Sequence, residues 1–350
     1  NLGLIFAMIG VSMFAARQGL TLLADVGMAA ALFHAVNHAI FKSGLFLATG
    51  VIMSQTHTRN IEEMGGLAKR MPVFSVAVCA LTLSGAALPP FGTFYDEWMF
   101  LQGMIGSLAG AAPAVQAVLV AVISITAFCG GLAIFAMTKL FALPCLGQPR
   151  SDEAAHTKEP PSSMNGPVLF FAGAGLFSGV FATTILRMIG FPNLSGADSA
   201  AAIAVSAGSV NPAAIFTLIA TIVLCMFVAR YFLGNRSVRA YKTWDCGQPI
   251  TPRMEYTATG FSAPIRFFFR DLVGTRKTVI LTPGAGSGPF ASRQEIGFTG
   301  RSFWVSKVHE PAALALYWLG NQARRVQNGS IQTYLLFLFI ALVASLIIAL

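Results

Sequence analysis

Charge is what this 350-residue sequence is shortest of. Only 11% of its residues are Asp, Glu, Lys or Arg, while 55% are hydrophobic and the mean hydropathy is +0.69. Such a chain has too little polar surface to face water throughout, and its Phe (29), Gly (34) and Met (13) are those of packed membrane helices. Cysteine is equally sparse: Cys79, Cys129, Cys145, Cys225 and Cys246 have no Cys-x-x-Cys or other ligand spacing, which leaves no zinc, haem or iron–sulfur motif. Four of them lie in or beside apolar stretches, where a lone thiol packs as a small hydrophobe. A phosphate-binding loop is missing too, because Gly284-Ala285-Gly286-Ser287-Gly288 lacks the following Lys and a strand-to-helix setting. The net charge of +9 sits in the connections between apolar runs, so it reads as a topology signal and not as a nucleic-acid footprint. Asn1–Ala16 is apolar from its first residues, has no charged leader and is shorter than the ~20 residues that span a bilayer. The expectation is a helix cut part-way, in the C-terminal portion of a longer protein.

Long apolar runs are what the sequence has instead. After the partial first helix, spans are expected at 26–53, 72–108, 114–142, 165–190, 212–233 and 331–350. The 72–108 stretch would run roughly 55 Å as one helix against a ~30 Å hydrocarbon core. It carries a breaker, Leu88-Pro89-Pro90-Phe91-Gly92, in which two prolines remove donors and Gly permits a turn. Basic residues decide how often it crosses. Connections 54–71 (Arg59, Lys69, Arg70) and 143–164 (Arg150, Lys158) and the long segment 235–330 are basic, whereas 109–113 and 191–211 hold no Lys or Arg. One crossing puts every basic connection on one side, the inside. Two crossings put 54–71 and 235–330 on opposite faces. A single broken span is therefore expected. Within 235–330, Phe261–Arg276 reads as an interfacial amphipathic helix, Leu281–Gly300 as an irregular loop, and Val305–Val326 as a second surface helix ending at Arg324-Arg325.

The candidate chemistry is concentrated in Phe33–Lys42. His34, His38 and Lys42 recur every four residues inside the apolar run from about Gly27 to Met53, which on a helix stacks them at intervals of roughly 6 Å along one face. A charged side chain at a membrane-helix centre costs on the order of 3 kcal/mol, so such groups face a protein interior or a water path. The stripe suggests proton handling: imidazoles titrate near neutrality, and a buried ammonium changes charge state when a neighbouring charge changes. The plainer readings are a core imidazole bonded to a carbonyl and a Lys snorkelling from a helix end, although Lys42 has apolar residues on both sides. Metal is rejected, since this spacing spreads the groups over ~12 Å and Lys is a poor ligand. Asp96 and Glu97 follow the break, where freed backbone groups need protein or water around them. Either carboxylate is a candidate proton acceptor, and Asp96 is alternatively a cap of the second half-helix. Lys139, near the end of 114–142, reads as an exit group or as a snorkelling Lys, and Asn37 and Thr82 as holders of water or as packing residues. Cys246 has no partner Cys or nearby His and reads as structural. Trp244 fits an interfacial anchor.

The run from His34 to Lys42, followed by Leu45-Phe46-Leu47-Ala48-Thr49-Gly50, resembles the antiporter-like subunits of respiratory complex I and its relatives. So do Met64-Gly65-Gly66-Leu67-Ala68-Lys69-Arg70-Met71-Pro72 and the stretch from Leu88 to Trp98. A narrower likeness lies in Thr243-Trp244-Asp245-Cys246-Gly247-Gln248-Pro249, with Thr251-Pro252-Arg253-Met254 and Tyr256–Phe261. That block resembles the group 4 membrane-bound nickel–iron hydrogenases, in the form of the hydrogenase 4 component B and formate hydrogenlyase membrane subunits. The resemblance covers nearly the whole chain. It implies an all-α polytopic membrane protein holding most of the second of two inverted repeats, with one broken transmembrane helix. A C-terminal extension and a terminal transmembrane helix follow, and the first repeat, with its own buried Glu and Lys, is missing.

On that mapping residues 1–142 are the partial proton-channel repeat, 143–234 additional transmembrane helices, 235–330 an amphipathic and loop segment at the surface, and 331–350 the last span. The implied relay is Lys42, His38, His34, Glu97, Asp96 and Lys139, with Glu97 the better family match of the two carboxylates and with Pro89, Pro90 and Gly92 forming the break. The implied function is proton, alternatively Na⁺, translocation in the bacterial or archaeal cytoplasmic membrane by a subunit of an oxidoreductase complex that has no redox site in this chain. Nickel–iron and iron–sulfur centres are expected in partner subunits, alongside other membrane subunits and the lipid bilayer. The alternatives are a multi-subunit Na⁺/H⁺ antiporter or complex I subunit, and a non-conducting scaffold.

Overall fold

A computed structural model describes the chain except for residues 189–211, 234–243, 245, 249, 271–273, 284–290, 301–303, 327–328 and 350. The 191–211 connection of the topology argument, and Thr243, Asp245 and Pro249, thus lie outside the described residues. The chain divides into two compact units, Asn1–Phe261 and Ser262–Leu350.

The first unit contains α1 (Leu2–Arg17), α2 (Thr21–Thr56), α3 (Leu67–Arg70), α4 (Pro72–Gly85), α5 (Gly92–Ser107), α6 (Pro113–Cys145), α7 (Asp152–His156), α8 (Ser162–Val180), α9 (Ala182–Met188) and α10 (Pro212–Leu233). Proline sets several starts: Pro72 and Pro113 occupy the first turns of α4 and α6, where a missing N–H loses no helical bond. The first amides of α4 are capped from afar. The Glu159 carboxylate accepts from Val73 N (3.3 Å) and Phe74 N (2.9 Å), as a negative group at a helix N-terminus should. At its far end α2 stops on a left-handed residue, His57 (φ 54°), whose N–H bonds to the Met53 carbonyl.

The packing along α2 settles the path of 72–108. A side chain added at Gly44 would meet Leu81, at Gly85 it would meet Phe41, at Gly92 Asn37, and at Gly103 Val26. Partners on α2 fall steadily as α4 and α5 rise, so the two half-helices run antiparallel to α2 in a single pass. The expected broken span is present. The basic connections 54–71 and 143–164 meet at one end, where Gly66 N donates to Leu146 O (3.0 Å) and Arg150 Nη1 to Met64 O (2.8 Å). Two apolar cores flank the break. One gathers Met8, Leu23, Val26, Phe33, Phe100 and Met104; the other gathers Phe41, Leu67, Phe74 and Leu81.

Among the described residues five helices are long and apolar enough to cross a membrane: α2, α6, α8, α10 and, in the second unit, α13 (Ile331–Ala349). No residue in the apolar windows of α10 and α13 is buried in the chain, so lipid or another subunit has to cover them. Four of them, α2, α6, α10 and α13, lie at expected spans, whereas the expected 165–190 span is parted at Phe181 into α8 and α9. The membrane-crossing part is all-α and polytopic, with one broken transmembrane helix among the described residues.

The helix α11 (Ala258–Phe268) straddles the boundary between the units, and α12 (Glu310–Val326), preceded by a wide turn at Val305–His309, matches the expected second surface helix. Two local expectations are corrected. The 261–276 helix ends at Phe268, and the described parts of 281–300 are not an irregular loop. Instead β1 (Thr275–Pro283) and β2 (Ala291–Gly300) pair antiparallel, Thr275 opposite Gly300. The flank Thr278-Val279-Ile280-Leu281-Thr282 is β-branched at every position but Leu281, and strand-forming. The Gly, Ser and Pro that suggested a loop are concentrated between the strands.

Candidate functional site

The centre of the site is where α4 ends and α5 begins. Prolines alone do not make this break. Ala87 sits in the left-handed region (φ 51°), and Leu88 N bonds back to Leu83 O (3.1 Å), the closure by which helices terminate. Thr93 Oγ1 then donates to the Ser84 carbonyl, tying the start of α5 to the end of α4. Pro89 and Pro90 form the turn between them, joined by a cis bond.

Gly92 has a different role from the expected turn. It is the first residue of α5 with no positive φ, and any Cβ there would overlap Asn37 Oδ1 and Ser178 Oγ. Glycine is needed for the space it leaves. The same holds for Gly179 on α8, where a Cβ would overlap the Pro90 carbonyl oxygen. Gly175 and Gly179 form a Gly-x-x-x-Gly stripe that brings α8 against the break.

Into this space project four polar side chains from three helices. His34 Nδ1 donates to Asp96 Oδ1 (2.7 Å), and both side chains are fully buried. Asn37 Nδ2 donates to Asp96 Oδ2 (3.1 Å), which leaves the first carboxylate oxygen to His34. Ser178 Oγ lies 2.7 Å from Asn37 Oδ1 and 2.9 Å from Gly175 O, and its single proton serves one of them at a time. His34 Nε2 is 3.2 Å from Asn1 Oδ1, so both ring nitrogens have polar neighbours. The chain Ser178–Asn37–Asp96–His34 lies between the two apolar cores, and all four of its side chains are buried.

The sequence-derived candidates part company here. His34 and Asp96 are brought together. Asp96, on the second turn of α5 with Phe91 at the N-cap, is no helix cap; its carboxylate is engaged by His34 and Asn37. Glu97 points elsewhere, because one residue turns a helix by about 100°; it is half-buried, and its carboxylate meets no hydrogen-bond donor side chain among the described residues. His38 is half-buried, edge-on to Phe41 (5.1 Å between centroids), with Nδ1 buried and unpartnered. Lys42 is exposed on α2 and lies over the Phe46 ring at 5.3 Å. The stripe of four is thus not one face. Each step of four overshoots the helical turn by about 40°, so eight residues rotate Lys42 some 80° away from His34. Lys139 is half-buried on α6, near Met137, which packs on Gly85. Thr82 donates to carbonyls of its own helix, Val78 O and Cys79 O. Asn37 turns out to be the hub. Ser178, Gly179 and Ala87 are further residues of the site, and the sequence signal for the first two is the Gly-x-x-x-Gly stripe. Among the described residues no group of three His, Cys, Asp or Glu is placed to hold a metal.

At the basic end a second polar assembly holds residues 251–259. Glu62 accepts from Ala258 N (3.0 Å) and Thr259 N (2.6 Å), Glu255 accepts from Gln148 N (2.9 Å), and Arg150 Nη2 donates to Tyr256 O (3.1 Å). Burial pushes the Glu62 carboxyl up, but the Thr259 and Ala258 donors and the charge of Arg150 outweigh it and hold Glu62 below the usual glutamate range. Cys246 and Trp244 are exposed and bonded to each other, Nε1 to Sγ at 3.1 Å.

Residues 8–126 match the family described as NADH:quinone oxidoreductase/Mrp antiporter, transmembrane. The chain is 30% identical over 361 residues to hydrogenase-4 component B of Escherichia coli (strain K12), covering 99% of this chain and 53% of that protein. It is 31% identical over 290 residues to formate hydrogenlyase subunit 3 of the same organism, covering 81% of this chain and 47% of the relative. The chain therefore spans about half the length of these relatives. Its fold is similar to a chain of the archaeal respiratory membrane complex named membrane-bound sulfane sulfur reductase, with a TM-score of 0.57 at 20% identity, over 93% of this chain and 48% of the other.

Proposed function

From the premise that this chain carries the antiporter-like transmembrane domain of the NADH:quinone oxidoreductase/Mrp family, we propose that it translocates protons as a membrane subunit of a hydrogenase or formate hydrogenlyase type complex in a bacterial or archaeal cytoplasmic membrane. One observation carries the proposal: a fully buried imidazole–carboxylate pair, His34 and Asp96, sits at the break of a membrane-crossing helix. A proton passes between Nδ1 and Oδ1 over 2.7 Å with no backbone movement. Asn37 holds the other carboxylate oxygen, so Asp96 keeps its aim whichever partner has the proton. A change in charge beside such a pair changes which partner holds the proton. The imidazole favours H⁺ over Na⁺, since a ring nitrogen is a poor ligand for a hard cation. His38 and Lys42 lead outward along α2 from this pair.

The hydrogenase branch is favoured by the reach of the similarity. The family match ends at residue 126, while the likeness to hydrogenase-4 component B runs through the Trp244–Gln248 block to the end of the chain. Electron transfer then belongs to nickel–iron and iron–sulfur centres in partner subunits.

The test is proton pumping by the full-length protein in its complex, reconstituted in proteoliposomes. Asp96→Asn keeps shape but holds no proton, and it is expected to lower pumping about a hundredfold in an assembled complex. Glu97→Gln is expected to have a much smaller effect. Wild-type pumping by Asp96→Asn would reduce the pair to a structural tie and favour the scaffold reading.

A further inference from the structure

The basic end of the first unit has a cleft that the relay does not use. It has a cavity volume of about 110 Å³, and its walls are Ala48 and Ile52 of α2, Val78 of α4 and Leu140 of α6, with Met64 also lining it. Along α2 it runs from Leu45 to Met53, ~12 Å of helix, and so lies within the last turns before the basic connection. The wall is almost entirely aliphatic. Its two threonines are already engaged, Thr49 with the Leu45 carbonyl and Thr58 with Glu63. The one cation on the rim is Arg59, which is exposed. Among the described residues its only hydrogen-bond partner is the Met53 sulfur, from Nε at 3.2 Å, so the two terminal nitrogens of the guanidinium carry no hydrogen bond there.

We propose that this cleft binds one anionic phospholipid, its acyl chain against Ala48, Ile52, Val78 and Leu140 and its phosphate on the guanidinium of Arg59. Depth and charge point to this occupant. An apolar slot at the end of membrane-crossing helices suits a chain that is apolar below and charged at the interface. A planar guanidinium with open nitrogens is built for bidentate phosphate recognition. A neutral quinone would leave the charge of Arg59 uncompensated, and an extended peptide would need backbone hydrogen-bonding partners that the wall does not offer.

Native mass spectrometry of the delipidated full-length protein, titrated with phosphatidylglycerol or phosphatidylcholine, tests this. Wild type should retain one phosphatidylglycerol about tenfold more tightly than phosphatidylcholine. Arg59→Gln should erase that preference at an unchanged thermal midpoint, because Arg59 is exposed. Thr49→Trp, which fills the exposed edge of the cleft, should lower retention of both lipids. Undiminished headgroup preference in Arg59→Gln, or unchanged retention in Thr49→Trp, would mean annular lipid only and would overturn the proposal. Arg59→Gln carries the decision alone if Thr49→Trp misfolds.

Discussion

The middle and the basic end of the first unit both have to satisfy polar groups, and they use different partners. At the break, His34, Asn37, Asp96 and Ser178 bind mainly one another, side chain to side chain. At the basic end, Glu62, Glu159, Glu255 and Arg150 bind backbone, an amide or a carbonyl in almost every case. A charge that holds a backbone amide fixes the path of the chain and is indifferent to proton traffic. A charge that holds another titratable side chain exchanges protons without moving the backbone. The first arrangement makes a latch, the second a relay. Solvent separates them further, since the fully buried pair has the low-dielectric surroundings in which its mutual influence is strongest.

The contrast breaks most severely where the relay depends on space. Gly179→Val is expected to push α8 off the Pro90 carbonyl and to cost at least ~3 kcal/mol, the upper range for overpacking, with loss of assembly on size exclusion. Gly175→Ala is the control. Its new Cβ would lie 3.6 Å from Phe91 and Ser84, ordinary contact, so thermal midpoint and pumping should hold. If Gly179→Val folded and pumped normally, the close approach of α8 would not be what seals the site.

A second comparison stays on one helix. His34 is sealed and Lys42 is open, so their substitutions should separate function from stability. His34→Ala empties a fully buried position and leaves Asp96 with Asn37 alone, which lowers pumping and thermal midpoint together. Lys42→Ala removes an exposed group and should leave the midpoint unchanged while lowering pumping about tenfold, less than the 10²–10⁴ of a directly engaged acid or base. Lys42→Arg should be impaired as well, because a guanidinium hardly deprotonates. Wild-type pumping by Lys42→Arg would confine the relay to the break.

Much of this was legible in the residues, and the gaps have physical causes. Apolar length and prolines located the spans because helix length is set by bilayer thickness and Pro fits a first turn. The charge of the loops gave the single crossing of 72–108, which the pairing of Gly44 with Leu81 and Gly103 with Val26 reproduces. What could not be read was direction around a helix. Spacing placed His34, His38 and Lys42 in a row, but the 40° drift per step turns the row outward, and Asp96 and Glu97 differ only by which side of α5 they occupy. Nor does spacing say that residue 178 meets residue 37, a contact made across 141 positions of sequence.

The mildest expected effect lies at the latch. Glu62 accepts the Ala258 and Thr259 amides at the start of α11, the work of a helix cap done by a distant side chain, and capping is worth about 1 kcal/mol. Its carboxyl is held below the usual glutamate range, so the sign is fixed. The contribution is fully present above the unfolded-state pKa of glutamate and is lost as pH falls through the lower value in the folded chain. Glu62→Gln keeps one acceptor oxygen and loses the charge. Hydrogen exchange in 258–261 at neutral pH should speed up several-fold in this variant, with pumping unchanged. The wild-type thermal midpoint should lose this increment only below the ordinary carboxylate range, whereas Glu62→Gln should lack that step. A latch that also gated the relay would behave otherwise: Glu62→Gln would change pumping at neutral pH, and the division between latch and relay would fall.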